Sequence, residues 1–243
     1  MSLNIREILR TLRTAGSPEN VAGMARYGIV TQSAYGASAQ AVERLARKIG
    51  KDHSLAEKLW QTGNYDARVL ACFVEEPARV TAAQMERWVR DFDNWAICDG
   101  CCLHLFDRTR FAWPKAVQWS RRKPEFARRA GFTLMAVLAV HDKRADDERF
   151  LKLLPLIESG ATDERKYVRK AVNWSLRSIG KRNLRLNRAA LRTAERIHEL
   201  DSRAAHWIAS DARRELTSAA VRRRLAARER NGNQKSELRA RRS

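Results

Sequence analysis

The sequence has few of the residues that interrupt helices, with 11 glycines and 5 prolines among its 243 residues. Such a composition is unusual for a loop-rich β protein and favours helices. No apolar run approaches the ~18 residues of a membrane span, and the start of the chain lacks the apolar segment of a secretory signal. We therefore expect a cytoplasmic protein with no membrane partner, whose four cysteines stay reduced.

Several enzyme motifs are also missing from the sequence. It contains no P-loop, GxGxxG or GxSxG motif, which argues against nucleotide-dependent phosphoryl transfer and dinucleotide redox chemistry. Cys98, Cys101, Cys102 and His104 lie close together, but no second CxxC-like pair completes a tetrahedral zinc site. The cysteines are better explained as small buried hydrophobic residues. The sequence therefore predicts neither a metal nor a cofactor.

Positive charge is present in large excess. Lysine and arginine number 48 against 28 acidic residues, which gives a formal net charge of +20. Nucleic acid is the commonest partner of a chain this basic. The stretch from Val221 to Ser243 carries nine lysines and arginines against two glutamates, but the rest of the chain is also basic.

Apolar residues recur at helical spacing along most of the chain, and no run alternates like a strand. Helix signals include Ser17 followed by Pro18 at a start and Gly50 at an end. Asp163 is predicted to cap a helix that ends at Ile179, before a glycine. A single short helix is predicted from Phe150 to Ile157.

Helices joined in series by short links predict an all-α fold. We expect an α-solenoid of HEAT-like antiparallel helix pairs, and a compact helical bundle is the alternative. The predicted solenoid domain covers residues 1–217. A basic C-terminal tail, residues 218–243, is predicted to be helical at first and disordered from Asn231 onward.

The stretch from Asp93 to Asp99 opens one of these helices and carries the first candidate site. Trp95 and Asp99 are four residues apart, so they share a helix face. A carboxylate beside an aromatic ring, in a chain that attracts anions, suggests a site where a cation appears. The alternative is structural, because an acid near a helix start favours the helix dipole and a tryptophan at helical spacing is usually core.

The helix predicted from Asp163 to Ile179 carries the second candidate site. Its core face is expected to hold Val168, Val172 and Ile179, and the opposite stripe holds Tyr167, Lys170, Trp174, Arg177 and Lys181. Lysine and arginine can contact phosphates while a tryptophan stacks on a base or sugar. Alternatively, Trp174 covers a neighbouring helix and the basic side chains extend around it. A second basic patch comprises Arg121, Arg122, Lys123, Arg128 and Arg129.

Several stretches together resemble one protein family. They are Tyr35-Gly36, Ile49 to His53, Leu59-Trp60, Tyr65 to Arg68, Asp93-Asn94-Trp95 with Asp99, and Ala171 to Asn183. Over roughly residues 20 to 210, the chain resembles the AlkD-like DNA alkylation repair proteins, a family of HEAT-repeat alkylpurine DNA glycosylases. The Arg-rich tail lies outside this resemblance.

The resemblance implies a function and a site. Family members hold duplex DNA in a concave basic groove and excise positively charged N3- and N7-alkylpurines, without a cofactor. Trp95, Asp99 and Trp174 match the two tryptophans and the aspartate of the family's active site. A family arginine best matches Arg129, with Arg128 as the alternative. The further residues expected to contact DNA are Tyr35, Lys170, Arg177, Lys181 and Arg182.

The chemistry of the matched residues agrees with this activity. A purine that already carries a positive charge is a good leaving group, so it needs no general acid, unlike ordinary glycosides. Asp99 can then stabilise the oxocarbenium-like sugar and orient water. Because many relatives with this fold lack glycosylase activity, the alternative is a non-enzymatic HEAT-repeat protein that binds damaged or branched DNA. In either case we expect a monomer acting on double-stranded DNA.

Overall fold

The computed structural model describes residues 4–240, with side chains as far as residue 230. None of residues 4–240 lies in a β-strand, so the predicted all-α class is confirmed. The chain forms two compact units, Met1–Pro114 and Lys115–Ser243. The predicted extent of a single domain, residues 1–217, stays a prediction. Among the described residues, no helix has both the length and the apolar character needed to cross a membrane.

The first unit is built from helices α1 to α7 and a short 3-10 helix, Phe106–Arg108. The α-helices are α1 (Ile5–Thr14), α2 (Pro18–Arg26), α3 (Ala39–Ile49), α4 (His53–Gln61), α5 (Tyr65–Val74), α6 (Ala82–Arg90) and α7 (Trp95–His104). Helix α5 is central, because α3, α4 and α7 all pack against it. Its apolar side chains, such as Leu70, are fully buried.

The division between the units falls within α8 (Ala112–Ser120), and the remaining helices form the second unit. They are α9 (Glu125–His141), α10 (Asp147–Leu151), α11 (Leu154–Gly160), α12 (Lys166–Gly180), α13 (Leu184–His198), α14 (Arg203–Leu216) and α15 (Ala219–Ala240). Helix α12 packs against α9 on one side and against α13 and α14 on the other. The predicted core face of α12 is confirmed, since Val168, Val172 and Ile179 are fully buried.

Several predicted helix ends are confirmed by their local chemistry. Ser17 caps α2 by accepting a hydrogen bond from the Asn20 backbone N–H, and Pro18 occupies the first turn, where its missing N–H costs nothing. Gly50 ends α3 with a φ of 80°, a conformation that glycine adopts without strain.

Two predicted boundaries are wrong. Asp163 does not cap α12, which begins at Lys166; its carboxylate instead accepts hydrogen bonds from the backbone and guanidinium of Arg165. The helix predicted from Phe150 to Ile157 is two helices, α10 and α11. Pro155 explains the break, because it has no N–H to continue α10 but fits the first turn of α11.

The C-terminal region differs from the expectation in its backbone. Helix α15 continues to Ala240 and therefore passes Asn231, where the sequence predicts disorder. The prediction for residues 241–243 lies outside the described residues.

Candidate nucleic-acid interface

The start of α7 presents the first two predicted site residues. The Asn94 side chain is buried and accepts hydrogen bonds from the backbone N–H groups of Ala96 and Ile97, at 3.0 and 3.1 Å. This cap satisfies helix donors that otherwise lack partners and defines where α7 begins. Trp95 and Asp99 follow one turn apart, and both are half-buried. Neither side chain is fully buried in the core.

The Trp95 indole forms part of an uncharged cavity of about 390 Å³. Its Nε1–H donates a hydrogen bond of 3.0 Å to the backbone carbonyl of Tyr27, just after α2. Nine of the described residues line the cavity, and none of these nine is charged. The ring of Trp95 is therefore held at one edge, beside a space lined by apolar and small polar groups.

A buried aspartate shapes one wall of this cavity. Asp66, which is 1% exposed, accepts hydrogen bonds from the backbone N–H groups of Tyr35, Gly36 and Ala37 at 2.6, 3.2 and 2.8 Å. Gly36 has a φ of 77°, so the turn requires a glycine there. Gly36 and Ala37 line the cavity. The predicted DNA contact Tyr35 is half-buried, with the Arg13 guanidinium 5.2 Å from the centre of its ring.

The cysteines form a buried cluster beneath α7. Cys72, Cys98, Cys101 and Cys102 are reduced cysteines with no exposed surface, so their predicted role as small buried residues is confirmed. The Sγ atoms of Cys72 and Cys101 are 2.8 Å apart. Burial raises the pKa of the Cys101 and Cys102 thiols, and the charge of Asp99 adds to the effect at Cys102. Within the described part of the chain, no group of three or more histidine, cysteine or acidic residues is arranged to hold a metal ion.

In the second unit, Trp174 lies half-buried on α12 and lines a larger cavity of about 530 Å³. Five of the ten residues that line this cavity carry a positive charge, and none of the described lining residues is acidic. The five cations are Lys143, Lys181, Arg182, Arg224 and Arg228. We call this space the cationic cavity.

Two of the predicted DNA contacts on α12 form ion pairs with α14. Lys181 Nζ lies 2.6 Å from a Glu215 carboxylate oxygen, and the Arg177 guanidinium pairs with the other oxygen. Arg177 is also 3.4 Å from Asp211. Burial raises the pKa of Glu215, but the hydrogen bond from Lys181 and the two positive charges outweigh it, so the net effect lowers that pKa. Much of the charge on this part of the stripe is therefore neutralised inside the unit.

Arg182 is engaged in the packing of the same region. Its guanidinium donates hydrogen bonds of 2.8 to 3.1 Å to the carbonyls of Ala139, Asp142 and Ala145, and lies 4.1 Å from the ring centre of Phe150. Burial lowers the pKa of Arg182. These contacts support the end of α9, and a DNA contact by Arg182 stays a prediction.

The remaining predicted residues differ in their exposure. Arg129 is only 5% exposed and donates a hydrogen bond of 2.5 Å to the Tyr167 carbonyl. Arg128 is half-buried and lies 3.3 Å from the Asp163 carboxylate. Lys170 is exposed. Of these three side chains, Lys170 is the most accessible to a DNA phosphate.

Sequence reasoning missed three cations of the cationic cavity, namely Lys143, Arg224 and Arg228. The sequence did contain a signal for the two arginines. Val221 and Leu225 are one helical turn apart, and so are Arg224 and Arg228, so each pair shares a helix face. In the structure Val221 and Leu225 are buried, and the arginines lie on another side of α15, against the cavity. Lys143 lies in a loop, where no periodicity identifies it.

Comparisons with known proteins agree with this architecture. A solved structure described as belonging to "a new family of proteins related to the HEAT-like repeat DNA glycosylases with affinity for branched DNA structures" is similar in fold, with a TM-score of 0.73. The likeness covers 88% of this chain and 95% of that chain at 18% sequence identity. The predicted α-solenoid of HEAT-like helix pairs is thereby confirmed. No curated protein matches the chain in a sequence comparison.

A protein-family model gives the more specific result. The model of the family described as "DNA alkylation repair enzyme" matches residues 8–220, which is most of the chain. The match includes α7 with Trp95 and Asp99, and α12 with Trp174. The chain belongs to the DNA alkylation repair enzyme family.

Proposed function

We propose that this protein is a DNA glycosylase that hydrolyses the N-glycosidic bond of positively charged N3- and N7-alkylpurines in duplex DNA. The observation that carries the proposal is the pairing of Trp95 and Asp99, one turn apart on α7 and both half-buried, in a chain of net charge +20. A protein that only holds DNA gains nothing from placing a carboxylate where a polyanion binds. A lesion that carries positive charge gives the carboxylate a role.

Asp99 acts on the sugar in this proposal. As the bond between sugar and base breaks, positive charge develops on the deoxyribose, and a carboxylate placed beside it stabilises that transition state. Asp99 also orients the water that attacks the anomeric carbon. The alkylated base leaves as a neutral purine, so the reaction needs no general acid and no metal ion.

Each tryptophan offers an indole face to a nucleotide of the bound DNA. An indole face attracts a cation, with a contribution of about 0.5–2 kcal/mol per contact. Trp95 is held by its hydrogen bond to Tyr27, so little side-chain entropy is lost when a nucleotide stacks on it. Trp174 lies among cations, where it contacts a sugar or base while its neighbours contact phosphates. Selectivity then follows from the charge of the lesion.

Base release from duplex DNA that contains a single 7-methylguanine tests the proposal, with and without EDTA. We expect release that EDTA does not affect and that falls on the order of 100-fold or more in Asp99→Asn, while DNA affinity is kept. Glu43→Gln is the matched control, since Glu43 is a surface carboxylate of the same unit that pairs with Arg47. A wild-type release rate in Asp99→Asn contradicts the assigned role of Asp99.

A second candidate function is supported by the fold comparison. The similar solved structure belongs to a family described as having affinity for branched DNA. This chain is then a non-enzymatic protein that binds branched or damaged DNA through its basic residues. No base release, together with salt-sensitive binding that is tighter for a four-way junction than for a duplex of equal length, supports this candidate. Base release with no preference for the junction supports the glycosylase.

A further inference from the structure

We propose that the cationic cavity binds the phosphodiester backbone of DNA, and that Arg224 and Arg228 of α15 supply much of its attraction for phosphate. The inference rests on the proposed function only in that the ligand is DNA; it does not depend on base release. It assigns a role in DNA binding to the C-terminal helix, most of which follows the 8–220 stretch that matches the family model.

The surroundings of Trp174 carry an excess of positive charge. The described residues that line the cavity include five cations and no carboxylate. Lys181 is paired with Glu215, and Arg182 is engaged by three backbone carbonyls. Lys143, Arg224 and Arg228 are exposed and have no ion pair with another described residue, so they supply most of the positive charge that a phosphate can reach. Charge without an internal counterion is the charge that a phosphate can neutralise.

Helix α15 is anchored to the rest of the second unit. Val221 and Leu225 are buried, which packs this helix against the second unit. Arg228 Nη1 donates hydrogen bonds of 3.1 Å to the carbonyls of Lys181 and Arg182, the two residues that follow α12. These contacts fix the side chain at the wall of the cavity. A guanidinium has five N–H donors, so donors remain for a phosphate oxygen.

The cations that α15 adds to the cavity are accessible from solvent. Arg224 lies one helical turn before Arg228, is exposed, and has no ion pair with any other described residue. The cavity volume of about 530 Å³ falls within the range of small-ligand sites, roughly 300–1,000 Å³, so a phosphate and its sugar fit. The indole of Trp174 provides an apolar surface for that sugar beside the cations.

The test compares two double variants of α15 that remove the same charge. Arg224→Ala with Arg228→Ala removes the two arginines that α15 contributes to the cavity, whereas Arg223→Ala with Arg230→Ala removes two exposed arginines that do not line it. Binding to an undamaged duplex is measured by fluorescence anisotropy between about 50 and 200 mM NaCl, a range over which the affinity of a protein that contacts several phosphates falls steeply. The full chain is used, and thermal unfolding confirms that each variant folds.

We expect the cavity variant to lower the slope of log affinity against log salt by about two units, close to one per lost phosphate contact. The control pair should lower the slope by much less. Affinity at the lower salt concentration should fall on the order of tenfold. Equal slopes in the two double variants overturn the inference, since the effect is then one of net charge alone. Single Arg224→Ala should lower the slope by about one unit even if loss of Arg228 destabilises α15. An unchanged slope in that single variant also overturns the inference.

The proposed function fails separately from this inference. Absence of base release in a wild-type protein that still shows the slope difference removes the glycosylase and leaves the phosphate site. Base release that persists in both double variants with unchanged slopes removes the phosphate site and leaves the glycosylase. A wild-type protein that does not bind DNA overturns both.

Discussion

The two tryptophans of the candidate site lie in cavities of opposite electrostatic character. The cavity beside Trp95 has no charged residue in its lining, and the cavity beside Trp174 has five cations and no acid among its described lining residues. The indole N–H of Trp95 is bound to a carbonyl, whereas that of Trp174 has no acceptor among the described residues. The same residue type is therefore placed in two different environments.

The difference suggests a division of work. An uncharged cavity does not itself attract a polyanion, but it can accept an apolar or weakly polar nucleotide surface beside the indole of Trp95. A cationic cavity attracts the phosphates of damaged and undamaged DNA alike, so it provides affinity without selectivity for the lesion. If the proposed glycosylase activity is correct, we expect substitutions in the first unit to affect mainly base release, and substitutions around the cationic cavity to affect mainly affinity for the DNA backbone.

The largest effect is expected at Asp66, which shapes the uncharged cavity. Asp66→Asn replaces an acceptor of three backbone hydrogen bonds by an amide that cannot accept all three. We expect a loss of about 2–4 kcal/mol in the free energy of unfolding, because hydrogen bonds to a buried charge are strong. Urea denaturation measures it. Asp93→Asn, at an exposed position of the same unit, is the control; an equal loss in both variants contradicts the role given to Asp66.

Substituting the two tryptophans should separate their effects. Trp174→Ala is expected to weaken both DNA binding and excision, whereas Trp95→Ala should lower excision with little change in affinity for undamaged duplex. Each lost contact with a cationic nucleotide costs about 0.5–2 kcal/mol, up to roughly 30-fold. Anisotropy on undamaged duplex and single-turnover base release measure the two effects. Unchanged affinity for lesion DNA in Trp174→Ala indicates that this residue is only structural.

Glu215→Gln makes the cationic cavity more positive. The change removes the counterion of Arg177 and Lys181, so we expect the salt dependence of DNA binding to steepen by up to about one unit. Stability should fall by about 1 kcal/mol or less, because the ion pairs are partly solvated. Glu195→Gln, an exposed acid on α13, provides the matched loss of charge. An equal steepening there indicates an effect of net charge.

The smallest effect is a pH dependence of this stability difference. The pKa of Glu215 in the folded protein lies below its ordinary value of 4.5. The ionised carboxylate therefore contributes stability above that pH, and the contribution is lost as the pH falls through the lowered pKa. The stability difference between wild type and Glu215→Gln should then be constant near pH 7 and shrink below pH 4.5. A difference that grows on acidification contradicts the pairing of Glu215 with Arg177 and Lys181.

Local sequence signals predicted much of the fold. The periodicity of apolar residues predicted the buried face of α12, and the cap at Ser17 was read directly from the sequence. The misplaced start of α12 shows the limit of such signals, because an aspartate before a helix can accept hydrogen bonds from a neighbouring arginine as readily as from the helix itself. The hydrogen-bond partner of a side chain depends on which groups lie near it in the folded chain.

The sequence by itself determined that this protein is all-α and basic, and that Trp95 and Asp99 share a helix face, because these properties depend on composition and on the helical period. Only the tertiary structure decided which cations remain available. Arg177 and Lys181 lie on the predicted basic stripe, yet Glu215, more than 30 residues away, neutralises part of their charge. Arg224 and Arg228 come from the tail but line the cavity of Trp174. A charged side chain is neutralised by the residues that pack beside it, and packing between helices that are distant in sequence decides which residues those are.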